Sequence, residues 1–194
     1  VPPEVMLPSV KAGFDIICVP AISGPVIQPD AAALKNNDEM IACARRLGPP
    51  HVLGTVTCWW EPFRCLRDAY HPAMAYAGAV MQKGAALDKP AFFRKFAQNF
   101  FGVTSAGLGK ALLDLHGILP ATDKFKAMLY DSLADLHEAL KLAEHPSFEE
   151  RRKKAQQVFD LLLAHRSRLK RHRAEFQAHV LSARIIVAGY DNAA

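Results

Sequence analysis

The sequence lacks the features that mark membrane proteins and secreted disulfide-rich proteins. No apolar run reaches the roughly 18–20 residues of a bilayer crossing, and residues 1–12 lack the basic start and apolar stretch of a signal peptide. None of the four cysteines belongs to a C-x-x-C pair, which favours free thiols in a reducing compartment. They are Cys18, Cys43, Cys58 and Cys65. We therefore expect a cytoplasmic protein with no membrane partner.

Motifs for nucleotide binding, serine hydrolysis and metal binding are also missing. The chain has no G-x-G-x-x-G, no P-loop and no G-x-S-x-G nucleophile elbow. His165, His172 and His179 recur every seven residues, which on one predicted helix face separates neighbours by about 10.5 Å. That separation is too large for one metal ion, so we expect no metal and no cofactor. Gly107 and Gly109 are interpreted as helix breakers.

The first half of the chain shows the order strand, helix, strand, helix. Gly13–Pro20 and His51–Thr57 are short, apolar and β-branched, which is typical of buried parallel strands. A helix is predicted between the strands, over Asp30–Leu47 or, after a loop, from near Asn37, and a second helix follows them over Phe63–Gly84. This order predicts a βαβ unit. Two strands cannot bury both faces of a sheet, so we expect further strands from elsewhere and a chain that is a segment of a longer protein.

The second half is predicted to be helical, with no strand after Ala85. Predicted helices span Asp88–Phe101, Ser105–His116, Thr122–Glu144 and Ser147 to about Ala188. The short break at His145–Pro146 predicts a long antiparallel hairpin between the last two. The basic block Arg151–Arg173 lies in the final helix without any recognised nucleic-acid motif, so we expect no nucleic-acid partner.

The stretch His51–Arg64 carries the candidate site. Its strand ends in Trp59, Trp60 and Glu61, and ligands of α/β folds bind at the carboxyl ends of strands. An indole packs on the C–H face of a sugar, while a carboxylate accepts hydrogen bonds from its hydroxyls. Side chains alternate along a strand, so Trp59 and Glu61 are predicted to face the ligand and Trp60 the following helix. Arg64 either orients Glu61 or lies in solvent.

This stretch resembles the eighth strand of the family 20 glycoside hydrolases, the β-N-acetylhexosaminidases. Their (β/α)₈ barrel ends in a strand, a tryptophan and, two residues later, a glutamate. The resemblance covers roughly residues 11–101, with Lys11–Gly24 similar to the preceding strand. It implies that Trp59 lines the sugar pocket and that Glu61 binds the outer hydroxyls. It also implies a parent glycosidase that cleaves terminal hexosamine-type sugars, with the substrate's acetamido group as nucleophile and a glutamic acid as proton donor.

Two departures from the family pattern limit what the chain is expected to do. The tyrosine that usually follows the seventh strand and binds the acetamido group is absent from Ala21–Ile27. The catalytic Asp–Glu pair belongs to an earlier strand, and nothing before Lys11 supplies it. We therefore expect no catalytic residue in this chain, and its partners to be a carbohydrate and a missing N-terminal part of the barrel. Asp68 and His71 suggest acid–base chemistry, but a role on a helix surface is favoured.

The sequence thus predicts an α/β fold made of two parts. Residues 1–101 are predicted to form the last two β/α units of a TIM-type barrel, and residues 102–194 an all-α region that ends in the long hairpin. Two other functions stay open: a helical protein-interaction module, and a non-catalytic sugar-binding relative of the same barrel. Two core tryptophans with a glutamate at a helix start are the purely structural alternative for Trp59, Trp60 and Glu61.

Overall fold

The computed structural model describes residues 6–23, 31–48, 51–59, 67–118 and 146–193. Within these ranges helices predominate and four short strands form two pairs. In chain order the elements are α1 (Leu7–Lys11), β1 (Ile16–Cys18), β2 (Ala21–Ser23), α2 (Ala31–Leu47), β3 (Val52–Thr55), β4 (Cys58–Trp59), a 3₁₀ turn (Arg67–Tyr70), α3 (His71–Lys83), α4 (Lys89–Phe96), a π-helical turn (Ala97–Phe101), α5 (Ala106–Leu115), α6 (Phe148–His165), a second 3₁₀ turn (Arg166–Arg168) and α7 (Arg173–Ala193).

The predicted βαβ arrangement is confirmed. β1 pairs with β3 in parallel, and β2 pairs with β4 in parallel, while α2 lies between them in sequence. The observed strands β1 and β3 are shorter than the predicted strands Gly13–Pro20 and His51–Thr57. After each of them the chain forms a second short strand, and these two strands, β2 and β4, also pair. Pro20 has no N–H to donate to a ladder, and the first run is interrupted there.

The small sheet has one covered and one open side. Cys18 in β1 is fully buried, and β1 to β3 all contact α2. Ile17 is 52% exposed, Val19 47% and Leu53 66%. Part of the apolar surface of these strands is therefore exposed.

The predicted helix over Asp88–Phe101 is confirmed as α4 with its π-helical continuation. Asp88 caps it, since its Oδ1 accepts a hydrogen bond of 3.0 Å from the N–H of Ala91. Gly102 ends it with a left-handed φ of 72°. Ser105 caps α5 in the same way through the N–H of Leu108.

Gly109 does not break a helix, contrary to the interpretation of the Gly107–Gly109 pair. Both glycines lie inside α5. A Cβ atom on Gly109 would lie 2.6 Å from the Cα of Arg94, so the missing side chain lets α5 approach the backbone of α4. The glycine is there for helix packing, and local propensity could not show that.

The predicted helix over Phe63–Gly84 begins as an α-helix only at His71. Residues 63–66 lie outside the described ranges, and Arg67–Tyr70 form a 3₁₀ turn. Pro72 occupies the first turn of α3. Proline is tolerated at a helix start and not in its interior, which explains the late start.

The single final helix is a wrong prediction, because two helices form instead. α6 ends at His165, and α7 begins at Arg173 after a chain reversal. The ion pair between Arg152 near the start of α6 and Asp191 near the end of α7, 2.9 Å, shows that the two run antiparallel. The reversal buries Leu162 of α6 and Phe176 of α7 in one core. The predicted helix Thr122–Glu144, and with it the first half of the predicted hairpin, lies outside the described residues.

One apolar core connects α2 with the helices that follow. It extends from Leu34 and Ile41 of α2 through Phe93 and Phe101 to Tyr190 of α7. The division of the chain at residue 101 stays a prediction. No helix in the part of the chain that the structure describes combines the length and apolar character of a bilayer crossing.

Candidate functional site

Trp59 lies where the sequence predicts it, at the carboxyl end of a parallel strand. It is the last residue of β4, and its register partner is Ser23, the last residue of β2. The chain leaves both strands at this one edge of the sheet. Trp60, Glu61 and Arg64 follow directly in sequence but lie outside the described residues, so their approach to Trp59 stays a prediction. In α/β folds this edge is where ligands bind.

Asp68 and His71 lie nine and twelve residues after Trp59 in the sequence. Asp68 lies in the 3₁₀ turn, and its Oδ1 is 3.7 Å from Nε2 of His71, with both side chains about one-third exposed. The His71 ring is 5.5 Å from that of Phe100 in the π-helical turn. Asp68 and His71 thus lie where the segment after β4 meets the helical core.

The three histidines spaced by seven do not share one helix face, because the chain reverses between them. His172 lies in the reversal, with a left-handed φ of 52°. Its ring stacks on Phe100 at 4.0 Å and 9°, and its Nδ1 is 3.0 Å from a carboxylate oxygen of Glu175. Among the described residues, no group of three His, Cys, Asp or Glu side chains is arranged to hold a metal ion.

His165 joins the end of α6 to the start of α5. Its Nδ1 is 2.7 Å from the carbonyl oxygen of Leu161, and its Nε2 is 2.8 Å from Oγ of Ser105. Because Nδ1 donates to the carbonyl, Nε2 accepts the hydroxyl proton of Ser105. The same hydroxyl oxygen caps α5. The hydrogen bonds of His165 and Ser105 therefore hold the end of α6 against the start of α5.

His179 is fully buried in α7. Its Nδ1 donates to the carbonyl of Glu175, 3.2 Å away, and its ring lies 5.6 Å from that of Phe101. Burial, together with the nearby His116 and His71, lowers the pKa of His179 to about 3. This histidine is therefore neutral in the folded protein at neutral pH.

A polar network joins α2 to α3 and α4. The hydroxyl of Tyr76 donates to Oδ1 of Asp38 at 2.7 Å, and Lys89 forms an ion pair with Oδ2. Burial and the Asp38 carboxylate raise the pKa of the Tyr76 hydroxyl. Partial burial alone would lower the pKa of Lys89, but its hydrogen bonds to Asp38 and Tyr76 outweigh that effect and raise it. The network attaches the βαβ unit to the helical core.

The sequence pattern missed an exposed basic turn between α6 and α7. We define the basic turn as residues 166–173, in which every side chain but Leu169 is exposed. Its cations are Arg166, Arg168, Lys170, Arg171 and Arg173. The sequence does contain a signal for a break in the helix here. Only one of the eight residues of the basic turn, Leu169, is apolar, and a packed helix needs an apolar residue at every turn to continue its apolar stripe.

Comparison of the chain with models of known protein families, with curated proteins and with solved structures finds no match. The parallel strands that end at Trp59 and the packed helices beside them are therefore what points to a function.

Proposed function

We propose that this chain supplies the closing strands of a (β/α)₈ barrel of glycosidase type and the sugar-binding wall at their carboxyl ends. Trp59 stacks on the sugar, and Glu61 accepts hydrogen bonds from its hydroxyls. Trp60 packs under the following helix, and Arg64 orients Glu61. The observation that carries the proposal is the parallel pairing of Ser23 with Trp59 at the edge where the chain leaves β2 and β4.

The open side of the sheet supports the barrel part of the proposal. Ile17, Val19 and Leu53 expose about half or more of their surface, although β-branched and long apolar side chains usually lie inside. In a barrel, every strand has two neighbours, and its inner face packs on other strands. Such neighbours would cover these side chains and pair the edges of β1 and β3 that no described strand covers.

The role proposed for this chain is recognition. The catalytic acid of the parent enzyme belongs to an earlier strand, outside this chain. A stacking indole and a carboxylate give affinity and orientation for a pyranose ring. This division predicts that the chain binds a sugar and leaves its glycosidic bond intact.

The test uses the two tryptophans of the chain as reporters. In a Trp60→Phe background, fluorescence reports on Trp59 alone, and titration with N-acetylglucosamine is expected to give a saturable change. Saturation-transfer NMR on the unmodified chain should show the same sugar bound. Glu61→Gln in that background removes a charged hydrogen-bond acceptor and should weaken binding about tenfold or more.

Glu39→Gln is the matched control, since Glu39 is a half-exposed carboxylate of α2 that pairs with Lys35. It should leave the affinity unchanged. Equal affinities for Glu61→Gln and Glu39→Gln would overturn the role of Glu61. The absence of any saturation-transfer signal from N-acetylglucosamine, N-acetylgalactosamine and glucose would overturn the sugar wall itself.

A further inference from the structure

The basic turn gathers five exposed cations at the reversal between α6 and α7. Leu169 is its one buried residue, and Ser167 and His172 are its other exposed residues. Within the described ranges, Arg166, Arg168 and Lys170 form no ion pair within 4.0 Å. The turn therefore projects positive charge into solvent.

The ordinary electrostatics of helices explain only two of these five cations. Arg166 and Arg168 follow the end of α6, where the partial negative charge of the helix favours cations. Lys170, Arg171 and Arg173 lie at the start of α7, where the partial positive charge repels them. Like charges that are close together also repel one another, because salt screens them little within the Debye length of about 8 Å at physiological salt. An anionic partner would offset both the repulsion by the start of α7 and the repulsion among the cations.

The start of α7 is held in one conformation by contacts with the end of α4. His172 adopts a left-handed φ, which is rare for a non-glycine residue, and its stacking on Phe100 and bond to Glu175 hold it there. The backbone N–H groups of Lys170 and Arg171 both donate to the carbonyl of Phe101, at 3.0 and 3.3 Å.

The cationic side chains are partly fixed as well. The guanidinium of Arg171 donates to the carbonyl of Asn99 at 2.7 Å, and that of Arg173 donates to the carbonyl of Leu169 at 3.1 Å. At the other end, the bond between His165 and Ser105 fixes the exit from α6. A turn ordered before binding loses less conformational entropy when a ligand arrives.

The basic turn lies near the first 3₁₀ turn and His71, which come after β4 in sequence. Phe100, on which His172 stacks, is 5.5 Å from the ring of His71. His71 directly follows the first 3₁₀ turn, which packs against α7. That turn begins at Arg67, eight residues after Trp59. An extended ligand that reaches the first 3₁₀ turn would therefore also approach the basic turn.

We propose that the basic turn binds the sulfate or carboxylate groups of an anionic polysaccharide, so that the sugar recognised beside Trp59 is part of an acidic glycan. The glycan identity rests on the proposed function, whereas the anion site rests on the turn itself. Guanidinium groups bind sulfate and carboxylate through paired hydrogen bonds. A single-stranded nucleic acid is disfavoured because such sites offer free aromatic rings for base stacking, and the one ring of the turn, His172, is already stacked on Phe100.

The test measures binding of heparin fragments to the full chain by calorimetry at two salt concentrations. The chain should bind heparin and not neutral dextran, and more weakly at the higher salt. The triple variant Arg166→Gln, Arg168→Gln, Lys170→Gln should lose about tenfold or more in affinity. Its matched control, Lys11→Gln, Arg45→Gln, Arg46→Gln, removes three exposed cations from the βαβ unit and should lose far less.

Equal losses in both triple variants would mean attraction to net charge alone and would overturn the site. Tighter binding of single-stranded DNA or of anionic vesicles than of heparin at equal salt would overturn the glycan as partner. Glu61→Gln separates this proposal from the sugar wall: it should weaken N-acetylglucosamine binding and leave the affinity for short heparin fragments unchanged. Heparin binding that survives failure of the sugar titration would leave the anion site standing without the wall.

Discussion

The open sheet and the helical core differ in how much apolar surface each one buries by itself. In the sheet, Leu53 is 66% exposed and Ile17 52%. In the helical core, Phe93, Phe101 and Phe176 are fully buried against one another's helices. The described helices bury their large aromatic side chains against one another, whereas the strands β1 and β3 expose apolar side chains of a kind that usually lies inside.

The difference follows from where each kind of element finds its hydrogen bonds. A helix satisfies its backbone within one segment and needs a neighbour for one apolar stripe only. A strand needs neighbours on both edges, and an apolar strand needs cover on both faces. In this molecule α2 covers one face of the strands, and each described strand has one paired neighbour. Among the described residues, the strands β1 and β3 therefore carry apolar surface that lacks a packing partner.

The largest effect is expected when the same change, Phe to Ala, is made in the helical core and beside the sheet. Phe101→Ala removes a fully buried ring and should lower the free energy of unfolding by about 3–5 kcal/mol. Phe14→Ala, at a side chain 65% exposed beside β1, should change it by less than about 0.5 kcal/mol. Denaturant unfolding followed by circular dichroism measures both. Similar losses at the two positions would show that the sheet is covered in solution.

Acid should weaken the helical core through His179. The unfolded chain takes up a proton near the ordinary pKa of 6.5, whereas the folded chain resists it until about pH 3. Between these values the unfolded state binds more protons, so stability falls as the pH falls. For this one group the loss from pH 7 to pH 5 is about 2 kcal/mol.

Unfolding of the chain and of His179→Gln at both pH values measures this effect. The variant should lose much less stability between pH 7 and pH 5. Ser167→Ala, a change at an exposed residue of the basic turn that carries no titratable group, should keep the full dependence. An unchanged slope in His179→Gln would assign the effect to other groups.

A smaller effect is expected where the two regions join. Tyr76→Phe removes the hydrogen bond to Asp38 and should cost about 1–2 kcal/mol, since Asp38 is charged. It should also speed hydrogen exchange in α2, which Asp38 attaches to the helical core. Tyr190→Phe removes an equally buried hydroxyl, which donates to the carbonyl of Ile118, and should leave exchange in α2 unchanged. Equal hydrogen-exchange rates of α2 in both variants would show that the hydrogen bond between Tyr76 and Asp38 does not attach α2 to the helical core.

Local sequence patterns predicted the elements whose ends are marked chemically. Asp88 and Gly102 bracket α4 with its π-helical turn, and Gly48, at a φ of 68°, ends α2. The reversal at residues 166–173 was not predictable in this way, since it depends on burying Leu169 and on the contact of His172 with Phe100, far away in sequence. The scarcity of apolar residues at 166–173 indicates a break in the helix, but tertiary contacts decide that the chain reverses there.

The candidate site was predictable only as far as one strand end. The apolar run before Trp59 and the polar residues after it predict an edge, and the register of β4 with β2 confirms that edge. The pairing of Ser105 with His165, sixty positions apart, has no sequence signature. The basic turn has a signature in its composition, which is rich in Lys and Arg. The same composition is typical of an exposed helix face, so the sequence predicts a turn there only if the chain reversal is known.

The smallest expected effect is the most direct test of the open sheet. Leu53→Thr exchanges an exposed apolar side chain for a β-branched polar one of similar strand propensity, so the free energy of unfolding should change by less than about 0.5 kcal/mol. Leu162→Thr, the same exchange in the helical core, should cost several times more, because it buries a hydroxyl and leaves a cavity. Sedimentation velocity on both variants completes the test. If Leu53→Thr destabilises the chain and also dissociates an oligomer, a second copy already covers the sheet, and this face would not be free for the remainder of a barrel.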